Sequence, residues 1–296
     1  MPSQSLVLYD LVAVVNAGNP LFSPHTIKAR LSLVHKGVPF ETKELSFRDI
    51  RTTLADKLDV RASGAFSRLG NRCAVGGALT LMLMLLSRAW IIGTLVPVLE
   101  FEDGSLLQDS LAIAHYLEKT YPNAPSIFLP ESSTPVDLTS AEYLVAVEFQ
   151  VKWSKTFGTV EGSFPPFFGL AAPYIQQHMD CLPSEDCDAN YFMSDAKMGF
   201  PNAWPTITKV AEDQDTLMKN ARTVIKTLED ILQTQSFVAS ATRPGFADFA
   251  TFGWYSMLSK VRPACAQELW MQGKIGEWVK RMIKEYKLED FEAKKW

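Results

Sequence analysis

A chain of 296 residues with 47% hydrophobic and 21% charged side chains carries apolar material for one large or two modest cores, which excludes a disordered or fibrous protein. Its formal net charge of −4 offers no broad attraction to nucleic acid or anionic lipid, so those partners are not expected. Cys73, Cys181, Cys187 and Cys265 are scattered without a CxxC spacing, which argues against a disulfide framework. His178, Cys181 and Cys187, with Asp180 or Asp186, show no familiar zinc spacing and read as a loop with solvated acids, so no metal is expected. The start MPSQSLVLYD lacks a basic then apolar leader, and the expected location is cytoplasmic.

In chain order, residues 6–9 form a short apolar strand ending at Tyr9, and Asn16-Ala17-Gly18-Asn19-Pro20 is a loop rich in turn formers. Ser23 precedes Pro24 in the pattern of an N-cap with proline at the first helical position. Ile27, Leu31 and Val34 then recur on one face up to a Lys36-Gly37 stop. Residues 38–45 read as a strand, so the opening is strand, helix, strand, the start of a thioredoxin-like α/β layer. His25, His35 and His115 read as helix-face residues, and none has a Ser/Asp partner in a triad arrangement.

Residues 96–101 alternate and are β-branched, Glu102-Asp103-Gly104 is a hairpin turn, and residues 105–108 are the partner strand. Pro97 cannot donate to a ladder and belongs at a strand start. A cis Val96-Pro97 bond would turn the Val96 backbone groups outward, free to pair with an extended peptide. Asp109 and Ser110 stand where a helix must begin, before apolar Leu111, Ile113, Ala114 and Leu117. Their oxygens and the first-turn N–H groups make a polar pocket.

The runs VPVLEFEDG, LLQDSLAIAHYLEKTYP and FSPHTIKARLSLVHKGVPFE resemble the glutathione transferase family, with its cis-Pro strand and its acid-Ser pair before a helix. The resemblance is strongest to the fungal class related to bacterial glutathione-dependent β-etherases. It implies that Val96, after which Pro97 stands, holds the cysteinyl backbone of glutathione, and that Asp109 and Ser110 hold its γ-glutamyl end. Ser23 matches the family's activating serine. A hydroxyl at a helix N-terminus can donate to the glutathione sulfur and help the thiol ionise near neutral pH. Tyr9 is the runner-up for that role, since some transferases use a tyrosine at the end of the first strand. The implied protein is a cytoplasmic glutathione transferase acting in detoxification on apolar, aromatic electrophiles or ethers, with glutathione as co-substrate and a homodimer as its assembly. The competing expectation is a non-catalytic, ligandin-like binder of hydrophobic compounds.

The family also places a loop and short helix, carrying a cation or amide for the glycine carboxylate, between the two motifs. Here about residues 61–93 hold RASGAFSRLGNRCAVGGALTLMLMLLSRAWIIG, which has no matching residue and no polar face. Its apolar run at 74–86, bracketed by Arg72 and Arg88, is too short to span a membrane. It reads as a cover for another apolar surface or, preferably, as a translation artefact such as a retained intron, because the family pattern resumes on both sides.

The expected organisation is an α/β thioredoxin-like domain over 1–125, a Pro/Ser/Thr linker over 126–137 and an all-α domain over 138–296. Helices are expected over 139–157, 206–232, 247–261 and 274–286, with 163–195 an irregular stretch around a short helix at 174–179. Phe149, Trp153 and Phe157 share one helix face at i, i+4, i+8 and are expected to line an acceptor pocket between the domains, with Phe164, Phe167 and Phe168 folding over it. In Pro244-Gly245-Phe246-Ala247-Asp248 the family's capping hydroxyl is replaced by Gly245, and Asp248 reads as a folding residue.

Overall fold

The computed structural model describes residues 6–15, 17–62, 96–179 and 187–294, apart from the side chains of residues 59–62. Most of the unusual 61–93 segment lies outside the described residues.

The N-terminal layer follows the expected order. β1 (Leu6–Leu11) leads through a loop to α1 (Pro24–His35) and then to β2 (Phe40–Leu45), parallel to β1 with Leu6 opposite Phe40 and Leu11 opposite Leu45. A helical run follows as α2 (Phe47–Asp49), a π-helical turn over Ile50–Leu54 and α3 (Ala55–Ala62). β3 (Val98–Glu100) and β4 (Leu106–Gln108) complete a four-stranded sheet in the order β2-β1-β3-β4, with β3 antiparallel to both neighbours. Their turn closes through the Phe101 N–H on the Ser105 carbonyl at 2.9 Å, and Gly104 takes the left-handed conformation at φ 69°. α4 (Ser110–Thr120) ends the layer.

Strand alternation assigns the two faces. Asp10 meets Arg30 of α1 at 3.2 Å, so Tyr9 faces the other way, where its hydroxyl accepts from Lys57 of α3 at 2.9 Å and donates to Glu100. On the α1 face, Lys36 at the end of α1 pairs with Glu118 near the end of α4 at 3.1 Å, both side chains buried.

The remainder is helical: α5 (Ala141–Thr156), α6 (Pro166–Gln177), α7 (Asp188–Met193), α8 (Asp195–Met198), α9 (Ala203–Glu212), α10 (Gln214–Leu232), α11 (Phe246–Val261), α12 (Pro263–Trp270), α13 (Gly273–Glu285) and α14 (Glu289–Ala293). α11 is the central helix, and every one of its residues except Trp254 is buried. The single helix expected over 206–232 is two, because Asp213 (φ −89°, ψ 70°) closes α9 and caps α10, accepting from the Thr216 N–H at 3.0 Å. The stretch read as irregular contains the three-turn α6, whose Pro166 sits in a first turn that needs no N–H from it.

Asp248 is fully buried and accepts four hydrogen bonds, from the N–H groups of Val238 (2.7 Å), Ala239 (2.9 Å) and Gly245 (3.1 Å) and from the Trp278 indole (2.9 Å). This is the folding role its motif predicts. The hydroxyl missing at Gly245 is supplied from elsewhere: the Gln150 side-chain oxygen on α5 accepts from the Ala247 N–H at 3.0 Å, and its amide donates to the Phe128 carbonyl. A Cβ at Gly245 would lie 2.7 Å from the Ile127 carbonyl oxygen and 2.8 Å from Gln150 Oε1, so glycine and glutamine are one solution to capping α11.

The short α14, absent from the sequence expectations, ties the two layers together. Its Phe291 ring lies 5.1 Å from the guanidinium of Arg30 and 3.8 Å from the ammonium of Lys260, and Glu292 pairs with buried Lys260 at 2.7 Å. Among the described residues no helix is long and apolar enough to cross a membrane.

Candidate functional site

The sheet register decides where the site can be. β1 and β2 are parallel and end together; β3 runs against them, and Tyr9 near the end of β1 lies opposite Val98 at the start of β3. Val98 is in turn opposite Gln108, the last residue of β4. The loops after β1, β2 and β4 and the loop before β3 therefore collect at one end of the sheet. Val96-Pro97 and Asp109-Ser110 are both there, the Val96-Pro97 bond is cis as expected, and the Asp109 N–H donates to the Pro97 carbonyl at 3.3 Å.

Ser23 arrives at the same end through the loop from β1. It is the N-cap of α1, buried at 5% exposure, and its Oγ accepts from the Thr26 N–H at 3.2 Å. That bond uses an oxygen lone pair and leaves the hydroxyl proton available to a ligand at the positive end of the helix dipole. α1 and α4 run side by side in the same direction, since Lys36 meets Glu118 at their C-terminal ends while Asp109 acts electrostatically on Lys28 near their N-terminal ends. Two helix N-termini consequently face the same space, a setting that favours anions.

Asp109 caps α4 with Oδ1, which accepts from the N–H groups of Leu111 (2.9 Å) and Ala112 (3.0 Å), and it holds a left-handed backbone at φ 85°. It is exposed, whereas Ser110 behind it is buried. Tyr9 sits differently: burial first, and then its bond to Glu100, raises its pKa, and its hydroxyl is engaged by both Glu100 and Lys57 on the face away from α1. His25 is exposed on the first turn of α1.

The helical part meets this end through residues that the sequence patterns did not single out. Gly253 of α11 abuts the Pro24 carbonyl, and a Cβ there would stand 2.4 Å from that oxygen. Its neighbour Trp254 is edge-on to His25 at 6.4 Å between centroids and tilted against Phe167 at 5.9 Å. Lys197 of α8 brings its ammonium to 5.5 Å from the Phe47 ring centroid, beside the end of β2. The readable signal was Gly253-Trp254, a small residue beside the largest one inside an otherwise apolar helix; Lys197 carried none.

Phe149, Trp153 and Phe157 do share one face, with ring centroids 6.3 Å and 5.2 Å apart in succession. Phe149 is 44% exposed, Phe157 is core and stacks near Phe167 at 6.1 Å, and the half-buried Trp153 donates its indole N–H to Thr251 at 2.8 Å. Trp153 and Phe157 border a cleft of about 410 Å³ whose other wall is α10, with Thr223, Val224 and Thr227. Phe167 is fully buried, and Phe164 and Phe168 lie against each other at 6.2 Å, half-buried.

Among the described residues no cluster of His, Cys, Asp or Glu could hold a metal ion. Cys187 is buried and caps α7, its sulfur accepting from the Asn190 N–H at 3.4 Å; Cys181, Asp180 and Asp186 lie outside the described residues.

Residues 22–120 match the family model of the glutathione S-transferase N-terminal domain. No curated protein matches the chain. Among solved structures, it is similar to a glutathione S-transferase of Ceriporiopsis subvermispora in complex with glutathione (20% identity, 96% of this chain and 98% of that one, TM-score 0.61). It is also similar to a second from that organism, again with glutathione (17%, 95% and 97%, 0.64), and to a glutathione transferase from Phanerochaete chrysosporium (16%, 96% of each, 0.58). The chain therefore has the glutathione transferase fold, a thioredoxin-like layer followed by helices, with the family's N-terminal domain signature at residues 22–120.

Proposed function

We propose that this protein is a cytoplasmic glutathione transferase of the fungal type related to β-etherases, and that it joins the glutathione sulfur to apolar, aromatic electrophiles. The observation that carries the reading is the convergence of Ser23, Val96-Pro97 and Asp109-Ser110 at one sheet end, with Asp109 bonded directly to Pro97. In this reading Val96 pairs with the cysteinyl backbone of glutathione, while Asp109 takes the γ-glutamyl ammonium. The Ser110 end of α4 takes the γ-glutamyl carboxylate. The Ser23 hydroxyl donates to the sulfur and stabilises the thiolate. The thiolate then forms a carbon–sulfur bond to the electrophilic carbon, and the leaving group departs with its bonding pair. Ser23 is preferred to Tyr9 because Tyr9 is held by Glu100 and Lys57 on the opposite face. Trp254 joins Trp153 and Phe157 as an aromatic candidate on the acceptor side.

A second copy of the chain is the proposed partner. Leu144, Val145 and Phe149 of α5 are 47%, 66% and 44% exposed, an apolar strip suited to burial in a homodimer. A ligandin-like role has its own support in the cleft beside Trp153, which draws no lining residue from the thioredoxin-like layer. Retention on immobilised glutathione, together with conjugation of a model electrophile, tests the transferase reading. Binding of hydrophobic dyes without either result would favour the binder.

A further inference from the structure

The cleft between α5 and α10 is walled by two faces that share one chemistry. Thr156 and Thr159, at and just beyond the end of α5, and Thr223 and Thr227, one turn apart on α10, all line it. Each hydroxyl donates to a backbone carbonyl: Thr156 to Lys152 (3.0 Å), Thr159 to Thr156 (2.6 Å), Thr223 to Lys219 (3.1 Å) and Thr227 to Val224 (2.7 Å). A threonine hydroxyl has one proton and two lone pairs, so with these bonds made all four oxygens can only accept from a ligand. The indole in the wall is no donor either, because Trp153 directs its N–H to Thr251 at 2.8 Å.

Glu161 also lines the cleft. Among the described residues it is the one charged member of the lining, and it is exposed with no hydrogen-bond or ion-pair partner there. The cations of α10 that flank the two threonines in sequence are committed elsewhere: Lys226 to Glu229 (3.1 Å) and Asp230 (2.9 Å), and Arg222 to Glu268. Trp153 and Phe157, their rings 22° from parallel and 5.2 Å apart, supply the apolar part together with two valines. The cleft, of about 410 Å³, therefore combines apolar surface with hydrogen-bond acceptors around one carboxylate, and its size suits a small ligand.

We propose that this cleft is a second ligand site, for a small flat aromatic cation that carries N–H donors, such as a protonated aromatic amine. The ammonium meets Glu161 and the threonine oxygens, and the ring lies against Trp153 and Phe157. A cation gains from the carboxylate, from the acceptors and from the aromatic faces, whereas an anionic ligand would find acceptors only. The lining draws nothing from the thioredoxin-like layer, so the site does not depend on the transferase reading. It also gives the cleft a charge preference that a general binder of hydrophobic compounds would lack.

The test is calorimetric titration of the whole protein at neutral pH with ligands that share one ring system: 2-naphthylmethylammonium, 2-naphthylmethanol and 2-naphthoate. The ammonium should bind about fivefold tighter than the alcohol, and the carboxylate should bind weakest. Glu161→Gln should bring the ammonium to the affinity of the alcohol and leave the alcohol as it was. Thr223→Arg, at an exposed helix position, should fill the cleft with a cation and weaken the ammonium by about tenfold or more. Naphthoate binding as tight as the ammonium, an order unchanged in Glu161→Gln, binding that survives Thr223→Arg, or displacement by glutathione overturns the assignment. So does an ammonium that fails to bind at millimolar concentration. Glutathione retention and conjugation are read separately, so this site can fail while the transferase reading holds, and the reverse.

Discussion

Gly253 lies so close to Pro24 that the helical part touches the backbone of the residue next to Ser23, with no room for a single carbon between them. The first turn of α1 is thus positioned from both sides, by its own cap and by α11. Gly253→Ala should destabilise the protein by about 1–3 kcal/mol through overpacking, and it should slow conjugation because the Ser23 turn must move. Thermal unfolding and steady-state kinetics would measure both effects. A variant as stable and as active as wild type would show that the contact does not position the turn.

Gln150→Leu should cost about 1–2 kcal/mol in urea unfolding, since it removes the acceptor for the Ala247 N–H at the buried start of α11. Glutathione affinity should stay near wild type. An unchanged unfolding midpoint would mean that Ala247 finds another acceptor.

His35 joins the two layers, with one ring nitrogen 2.9 Å from the Tyr286 hydroxyl and the other 3.0 Å from the Ser126 carbonyl. The carbonyl requires an N–H at Nε2, and in the neutral ring that burial favours, Nδ1 accepts from the Tyr286 hydroxyl. Burial lowers its pKa from 6.5 to about 4, outweighing the Ser126 bond that raises it. A base with a depressed folded pKa contributes stability that is complete above the unfolded value, about 6.5, and is lost as pH falls toward 4. The stability gap between wild type and His35→Gln should therefore narrow from pH 7.5 to pH 5. A gap that is constant across that range would contradict the neutral assignment.

Ser110→Ala should weaken glutathione binding by on the order of 1–2 kcal/mol, the worth of a hydrogen bond to a charged group, with kcat little changed. Unchanged affinity by calorimetry would remove Ser110 from the site.

What the sequence made legible was local chemistry. The Ser23-Pro24 cap, the Glu102-Asp103-Gly104 turn, the Asp109-Ser110 helix start and the Asp248 motif all depend on neighbouring residues, and each appears where its pattern places it. What it hid depends on partners far along the chain. Gln150 caps a helix 97 residues away, Gly253 matters only because Pro24 is opposite it, and Lys197 meets Phe47 only because the fold brings α8 to α2. The aromatic face of α5 was read correctly as a face, but helical periodicity says nothing about which neighbour covers it: Phe149 looks to solvent, Phe157 to the core, and the cleft beside Trp153 opens toward α10. Proline content likewise obscured α6, where one of its prolines occupies a position that helices tolerate.

The central claim is that Ser23 at the start of α1 stabilises the thiolate of bound glutathione, and the direct measurement is thiolate absorbance of the protein–glutathione complex as a function of pH. Wild type should show a bound thiol that ionises below the ordinary thiol value of about 8.5, and Ser23→Ala should return it upward with a matching shift in the pH–rate profile. A bound thiol that titrates at the free value in wild type, or identically in both proteins, would contradict the account.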